Sequence, residues 1–294
     1  MTMTRAEALA KGRAALAASP SASLDATLIL AYLLGLSRES LILAPRERLP
    51  DGLLESYEAA LAARASGRPV AYLTGEKEFY GRSFVVSEAV LIPRPDTELL
   101  VESALGLGDA IEARLRGGSE AGYRPLRVHE CCVGSGAVAI SLAAERPAWT
   151  VTASDISAAA LAVASQNAAR LLPGDRPGGP LLLSSSDLLE GIGDDFDLIL
   201  ANPPYVESPL ARELSETWGE PLLALDGGAE GLDLLRRLVP LASTRLVRGG
   251  FLLVEADGDQ AAALRSMFAA AGLLGAHSER DLAGIERVTI GELP

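Results

Sequence analysis

From Pro125 onward the chain alternates short apolar runs with stretches of helical periodicity, and no other feature restricts the architecture as tightly. The runs at 126–131, 149–154, 181–184, 196–201 and 250–255 have strand length. Helical patterns near 136–146, 157–172, 230–246 and 258–271 separate them, which predicts a parallel sheet with helices on its faces. Two further extended segments, near 274–280 and 285–291, follow the last helix as an antiparallel pair. The expected fold is therefore α/β: seven strands, doubly wound, with a closing hairpin.

The part before this pattern has a different texture. Over residues 4–75, Leu24, Leu28, Ile29, Tyr32, Leu33 and Leu36 recur at helical spacing, with Ser21 or Ser23 able to cap. Leu53, Leu54, Tyr57, Leu61 and Ala62 repeat the pattern after Pro50 and Asp51, so a bundle of five helices is predicted. Nothing in it suggests catalysis; it suits a folding or docking module. Aromatic and β-branched residues around Gly81, from Glu78 to Val86, predict a β-hairpin. After Pro93, Pro95 fits the first turn of a helix and Asp96 and Glu98 suit its positive end. That helix is predicted to reach about Leu107, with the glycine-containing segments 108–124 and 173–180 as connections.

Composition narrows the chemistry. The 294 residues contain no apolar run long enough for a membrane span, and the acid at Glu7 interrupts any leader-like start, so neither export nor membrane insertion is expected. The two cysteines, Cys131 and Cys132, are adjacent, and only His129 and His277 are available as imidazoles. Neighbouring cysteines rarely meet disulfide geometry, and no ligand set for a metal emerges. Residues 1–80 are neutral overall, so the whole net charge of −13 falls on the remainder. Gripping a phosphate backbone needs clustered cations, and this acidity argues against stable nucleic-acid binding.

The chemistry-bearing residues sit where strands end. Glu130-Cys131-Cys132-Val133-Gly134-Ser135-Gly136 separates the first core strand from its helix, and its glycines let backbone N–H groups approach a ligand. It has no phosphate-loop lysine, so a triphosphate is disfavoured. Asp155 ends the second strand, where an acid can accept from both ribose hydroxyls of an adenosine-containing cofactor or else cap the next helix. Asp187 follows the third strand; it can accept from an adenine amine or cap residues 188–190, and Leu188 beside it offers a backbone amide and an apolar surface. Asn202-Pro203-Pro204-Tyr205 ends the run Phe196–Leu200. Prolines there fix the backbone around the Asn and Tyr side chains, in a form suited to holding a planar nitrogen during methyl transfer.

These segments resemble the protein-glutamine N5-methyltransferases that modify peptide chain release factors. The likeness covers nearly the whole chain and includes Gly67–Gly75, Phe79-Tyr80-Gly81, Pro93-Arg94-Pro95-Asp96-Thr97-Glu98 and Glu220–Gly228. Asn-Pro-Pro-Tyr alone is shared with adenine and cytosine amino-methyltransferases; the segments at 93–98 and 220–228 are more specific. The resemblance implies a seven-stranded, Rossmann-like methyltransferase domain at 93–294. A helical substrate-docking domain at 1–76 and a hairpin linker at 77–92 would precede it. It implies S-adenosylmethionine as cofactor, no metal, and the glutamine of the Gly-Gly-Gln motif of release factors as substrate, in a cytoplasmic monomer. Glu130, Cys132, Val133, Gly134, Ser135, Gly136, Asp155, Asp187, Leu188 and Asn202 would line the cofactor. Asn202, Pro203, Pro204 and Tyr205 would bind glutamine, with Asn202, Pro203 and Tyr205 carrying the chemistry and Arg94 to Glu98 close by.

One departure stands out. The family usually has Asp-x-Gly-x-Gly-x-Gly after the first strand, and here Glu130 and Cys132 replace the acid and the first glycine. A longer acid and an added side chain press on the cofactor's amino-acid portion or alter the turn; with Gly134 and Gly136 kept, binding is expected to survive with altered affinity. The competing expectations are a ribosomal-protein glutamine as substrate, an adenine N6 in nucleic acid, or a cofactor-binding scaffold without activity.

Overall fold

The computed structural model describes residues 3–118, 124–193 and 195–294. The chain divides into two compact units: Met1–Glu76 with Glu216–Gly219, and Lys77–Ser215 with Glu220–Pro294.

Among the described residues the first unit holds five helices, α1 (Arg5–Ala15), α2 (Ala22–Leu34), α3 (Arg38–Leu43), α4 (Leu53–Ala65) and α5 (Val70–Thr74). Ala8, Ile29, Leu30, Leu41, Tyr57 and Leu61 are fully buried between them. Thr4 and Glu7 form a reciprocal capping box that starts α1. Ser21 holds the N-cap position of α2 without making a cap bond; its hydroxyl donates instead to Asp25, which Arg64 also engages at 2.8 Å.

Next along the chain come the hairpin β1 (Glu76–Phe79) and β2 (Arg82–Val85), and a turn of 3₁₀ helix at Pro95–Thr97 that leads into α6 (Glu98–Gly118). This helix does not stop near Leu107: it continues to Gly118 because Ile111 recurs on the buried face. The glycine that looked like a breaker marks a close approach instead. A Cβ at Gly108 would lie 2.1 Å from the ring of Trp149, whose Nε1 donates to Glu112 one turn further on. The rest of the connection, 119–123, lies outside the described residues.

The core follows as β3 (Arg127–Cys131), α7 (Ala137–Glu145), β4 (Thr150–Asp155), α8 (Ala158–Leu171), β5 (Leu182–Ser185), β6 (Phe196–Ala201), α9 (Ser208–Trp218), α10 (Asp233–Ser243), β7 (Leu246–Glu255), α11 (Ala261–Ala270), β8 (Leu274–Arg280) and β9 (Glu286–Glu292). Helix α9 has no counterpart among the helices expected above. Its sequence does carry an apolar stripe, Leu210, Ala211, Leu214 and Trp218 at helical spacing, of which only Ala211 is buried.

The seven strands lie in the order β5-β4-β3-β6-β7-β9-β8, parallel except for the β7–β9 and β9–β8 pairs. Side chains alternate across β6. Leu198 and Leu200 join α6 and α7 in one core, whereas Ile199 and Ala201 join α10 and α11 in the other. His129 of β3 is a core residue; its ring nitrogens meet the hydroxyls of Thr152 and Ser154 at 2.8 and 3.0 Å, and burial lowers its pKa to about 4. Chain order runs outward from β3 through β4 to β5 and then returns to β6 on the other side of β3. Loops therefore diverge at the carboxyl ends of β3 and β6 and leave a crevice there. Among the described residues no helix is long and apolar enough to cross a membrane, and no cluster of His, Cys, Asp and Glu could hold a metal.

Candidate active site

A cavity of about 340 Å³ occupies that crevice. Its wall brings together Glu130, Cys132, Val133, Gly134 and Ser135 after β3, Asp155 after β4, Asp187 and Leu188 after β5, and Asn202 and Pro204 after β6. Gly136, Pro203 and Tyr205 are not on the wall; Gly136 is the left-handed N-cap of α7. The cavity also takes in residues that strand-end motifs do not reveal, among them Ala89 and Leu91 before Pro93, Ile156, and Leu234 and Arg237 of α10.

The loop after β3 is tied to its neighbours by carboxylates. Gly134 N–H donates to Asp155 Oδ2 at 3.0 Å and Ser157 N–H to Oδ1 at 2.9 Å. Each carboxylate oxygen thus keeps a lone pair for a further donor. Asp155 is not the cap of α8: Ser157 holds that place and accepts from Ala160 N–H. Glu130 is buried and reaches past the loop to accept the Ala139 N–H at 2.7 Å, and burial holds its pKa well above the carboxylate range. Cys132 adopts φ +62°, the left-handed conformation that glycine takes without cost, so the turn keeps its shape despite the side chain. The Cys131 thiol beside it and its burial raise the Cys132 pKa well above the thiol range. At the far end, Asp187 pairs with Arg237 at 2.7 Å, and Leu188, also left-handed at φ +53°, passes its carbonyl to the Ser154 hydroxyl.

The Asn-Pro-Pro-Tyr turn is held from three sides. Asn202 Nδ2 donates to Thr97 Oγ1 at 3.2 Å, and Thr97 Oγ1 donates to Glu255 Oε1 at 3.1 Å. Tyr205 turns its hydroxyl towards the same Oε1, 3.5 Å away, while Gln260 Nε2 donates to the Tyr205 carbonyl at 2.8 Å. Burial raises Glu255 to about 7 and pushes the Tyr205 phenol up as well. The segment Glu220–Gly228 closes the third side. Val206 N–H donates to the Leu225 carbonyl and the Val206 carbonyl accepts from Gly227 N–H, and a Cβ at Gly227 would lie 2.7 Å from Tyr205 Cα, so only glycine fits. At its other end buried Glu220 accepts from Ile92 N–H and pairs with Arg94 at 2.6 Å. Both segments singled out for their specificity thus converge on this turn, one at Asn202 and the other at Tyr205 and Val206. Glu255 escaped notice in the sequence, although an acid ending the buried run Leu252–Val254 is the same signal as Asp155 after β4.

Among the described residues, no group donates to the Pro203 carbonyl and none bonds Asn202 Oδ1. The arrangement offers two unspent acceptors beside a cavity whose opposite wall offers a carboxylate with spare lone pairs.

Comparison with known proteins agrees with this geometry. A methyltransferase small domain model matches residues 126–216, the stretch that supplies the ends of β3 to β6. A methyltransferase solved from Pyrococcus furiosus has the same fold, with a TM-score of 0.50 at 16% identity over 80% of this chain and 98% of that one. Fold and site together define a Rossmann-like methyltransferase, a class whose methyl donor is S-adenosylmethionine.

The helical unit narrows the class, because residues 7–75 match the PrmC N-terminal domain model. The release factor glutamine methyltransferase of Burkholderia pseudomallei is 42% identical over 95% of both chains. That of Neisseria gonorrhoeae is 39% identical over 92% of this chain and 93% of its own. The chain belongs to the release factor glutamine methyltransferase family.

Proposed function

We propose that this protein transfers a methyl group from S-adenosylmethionine to the side-chain amide nitrogen of the glutamine in the Gly-Gly-Gln motif of peptide chain release factors. The observation that carries the reading is the polarity of Asn202. Its Nδ2 is committed to Thr97, so its Oδ1 is the atom left to accept from a substrate N–H.

The cavity suits the cofactor. Its volume falls within the ordinary range for small-molecule sites, Asp155 can accept ribose hydroxyls, and no described group accepts the Leu188 N–H, which is left for an adenine ring nitrogen. Arg237 occupies one oxygen of Asp187 and leaves the other for an exocyclic amine. When bound, S-adenosylmethionine supplies an electrophilic methyl group on a sulfonium.

An amide nitrogen is a poor nucleophile because its lone pair is delocalised into the carbonyl. Asn202 Oδ1 and the Pro203 carbonyl accept its two N–H bonds and favour a more pyramidal nitrogen with the lone pair aimed along the cavity. Their dipoles also oppose the positive charge that develops as the bond forms. The nitrogen would become acidic at that moment, so no base has to act first; the methyl group would exchange its bond to the sulfonium for one to nitrogen, and the surplus amide proton would pass to solvent. The helical unit serves as the docking module for the release factor, and the protein works as a cytoplasmic monomer.

The test is to incubate the protein with isotopically labelled S-adenosylmethionine and its own release factors and to map the label by mass spectrometry. Label on the Gly-Gly-Gln glutamine is expected. Label absent there, or found only on a ribosomal protein or nucleic acid, contradicts the reading.

A further inference from the structure

We infer that Glu255 is a positioning residue which, through the single proton of the Thr97 hydroxyl, decides whether Asn202 offers its oxygen or its nitrogen to the substrate. The inference rests on the proposed role of Asn202 as acceptor for a glutamine amide.

The argument is one of proton counting. A threonine hydroxyl has one proton to give and two lone pairs to receive with. Thr97 Oγ1 lies 3.1 Å from Glu255 Oε1 and 3.2 Å from Asn202 Nδ2. An ionised Glu255 can only accept, so it takes the Thr97 proton, and Thr97 then has only lone pairs for Asn202. The amide must donate to it with Nδ2, which leaves Oδ1 for the substrate. A protonated Glu255 can reverse every step. It donates to Thr97, Thr97 donates onward, and the Asn202 amide turns so that its NH₂ group faces a substrate that also carries an NH₂ group. Two donors then oppose each other, and the glutamine amide loses its acceptor.

Glu255 is placed for such a relay. It is buried at 1% exposure at the end of β7, and its Oε2 has no hydrogen-bond partner among the described residues. A buried, half-satisfied carboxylate is costly to keep charged for the sake of packing alone. The charged and titratable groups around it come from each neighbouring element. Arg287 of β9 favours the charged form, Asp96 of the 3₁₀ turn opposes it, and the Tyr205 phenol lies beside Oε1. Asp257 and Asp281 flank Arg287 at 3.8 and 3.0 Å and moderate its influence. Burial outweighs these contributions and puts the transition at about 7, inside the working range of an enzyme.

Two readouts test the relay on the full chain. The first is steady-state methylation of a release factor between pH 5.5 and 9, with cofactor affinity measured in parallel, for wild type, Glu255→Gln, Thr97→Ser and Thr97→Val. Wild-type kcat should fall about tenfold per pH unit below about 7 while cofactor affinity holds. Glu255→Gln should lose the acid limb, because its amide does not titrate in this range while its oxygen can still accept the Thr97 proton. Thr97→Ser should behave as wild type, and Thr97→Val, which breaks the same link if Glu255→Gln does not fold, should lose the acid limb and roughly 10- to 100-fold in kcat at pH 8. A Glu255→Gln enzyme that keeps the wild-type acid limb overturns the inference. The second readout needs no substrate: the side-chain ¹H–¹⁵N signals of Asn202 should titrate with a midpoint near 7 and stop doing so in Glu255→Gln or Thr97→Val. Signals that do not move with pH overturn the relay. Absence of methylation by wild type at every pH instead removes the proposed function and leaves the relay to be judged by the Asn202 signals.

Discussion

The Asp155 carboxylate accepts the Gly134 N–H at 3.0 Å, so one side chain at the end of β4 shapes the glycine loop that follows β3. Its other oxygen holds Ser157 N–H at 2.9 Å, and the cavity wall passes directly over both. Asp155→Ala should therefore weaken cofactor binding by roughly 1–3 kcal/mol, about 5- to 150-fold in Kd, through lost ribose contacts and a loosened loop. Isothermal calorimetry with S-adenosylmethionine measures this directly. An unchanged Kd would restrict Asp155 to a local role in backbone structure.

Asn202→Ala separates the two halves of the cavity. The proposed acceptor for the substrate amide goes, whereas Asp155, Leu188 and the loop from Cys132 to Ser135 are untouched. Turnover should fall by roughly 10²- to 10³-fold, the usual cost of removing one preorganised group that acts on the transition state, with cofactor affinity nearly constant. A matching loss of cofactor affinity would contradict the placement of Asn202 on the substrate side.

Cys132 stands at φ +62°, which costs a side-chain-bearing residue about 1–2 kcal/mol relative to its preferred conformations. Glycine removes that strain but adds roughly 0.5–1 kcal/mol of chain entropy to be lost on folding. Cys132→Gly should thus change stability by no more than about 1 kcal/mol and leave the cofactor Kd within a few-fold. Cys132→Val, branched at Cβ, should destabilise by about 2 kcal/mol or more. Denaturant melts of both variants check this, and a strongly destabilised Cys132→Gly would mean that the thiol is needed for packing.

Two buried groups give the stability opposite dependences on pH. Glu255 titrates at about 7 in the fold against an ordinary 4.5, so the folded chain holds its proton longer and this contribution declines as pH rises from about 4.5 to about 7. His129 titrates at about 4 against 6.5, so the folded chain releases its proton earlier and stability is lost as pH falls from about 6.5 towards 4. Each slope approaches about 1.4 kcal/mol per pH unit within its window. Subtracting the denaturation curves of Glu255→Gln and of His129→Gln from those of wild type should give differences whose slopes against pH have opposite sign between pH 5 and 6.5. Slopes of the same sign would contradict the burial of one of the two groups in its neutral form.

Much of this architecture is legible in the residues, and the exceptions have physical reasons. The strand runs can be read because parallel strands bury both faces, as Leu198, Ile199, Leu200 and Ala201 do. The extent of α6 cannot, because Gly108 is spelled like a breaker and serves as a seat for Trp149. Helix α9 is legible in the spacing of Leu210, Ala211, Leu214 and Trp218, although it is short and buries only Ala211. At the site, residues at strand ends are visible one at a time: Asp155, Asp187 and Asn202 each follow an apolar run. Their partners are not. Thr97, Glu220 and Glu255 lie between 18 and 105 residues from Asn202 in sequence and reach the site only through the fold. Tyr205 is visible in the motif, but the turn of its hydroxyl to Glu255 is not.

The most direct measurement is a crystal structure of the protein with S-adenosylhomocysteine and a peptide containing Gly-Gly-Gln. The glutamine amide nitrogen should lie within hydrogen-bond distance of both Asn202 Oδ1 and the Pro203 carbonyl, facing the sulfur, with Asn202 Nδ2 still on Thr97. A glutamine bound elsewhere, or an Asn202 whose oxygen remains turned away from it, would contradict the account.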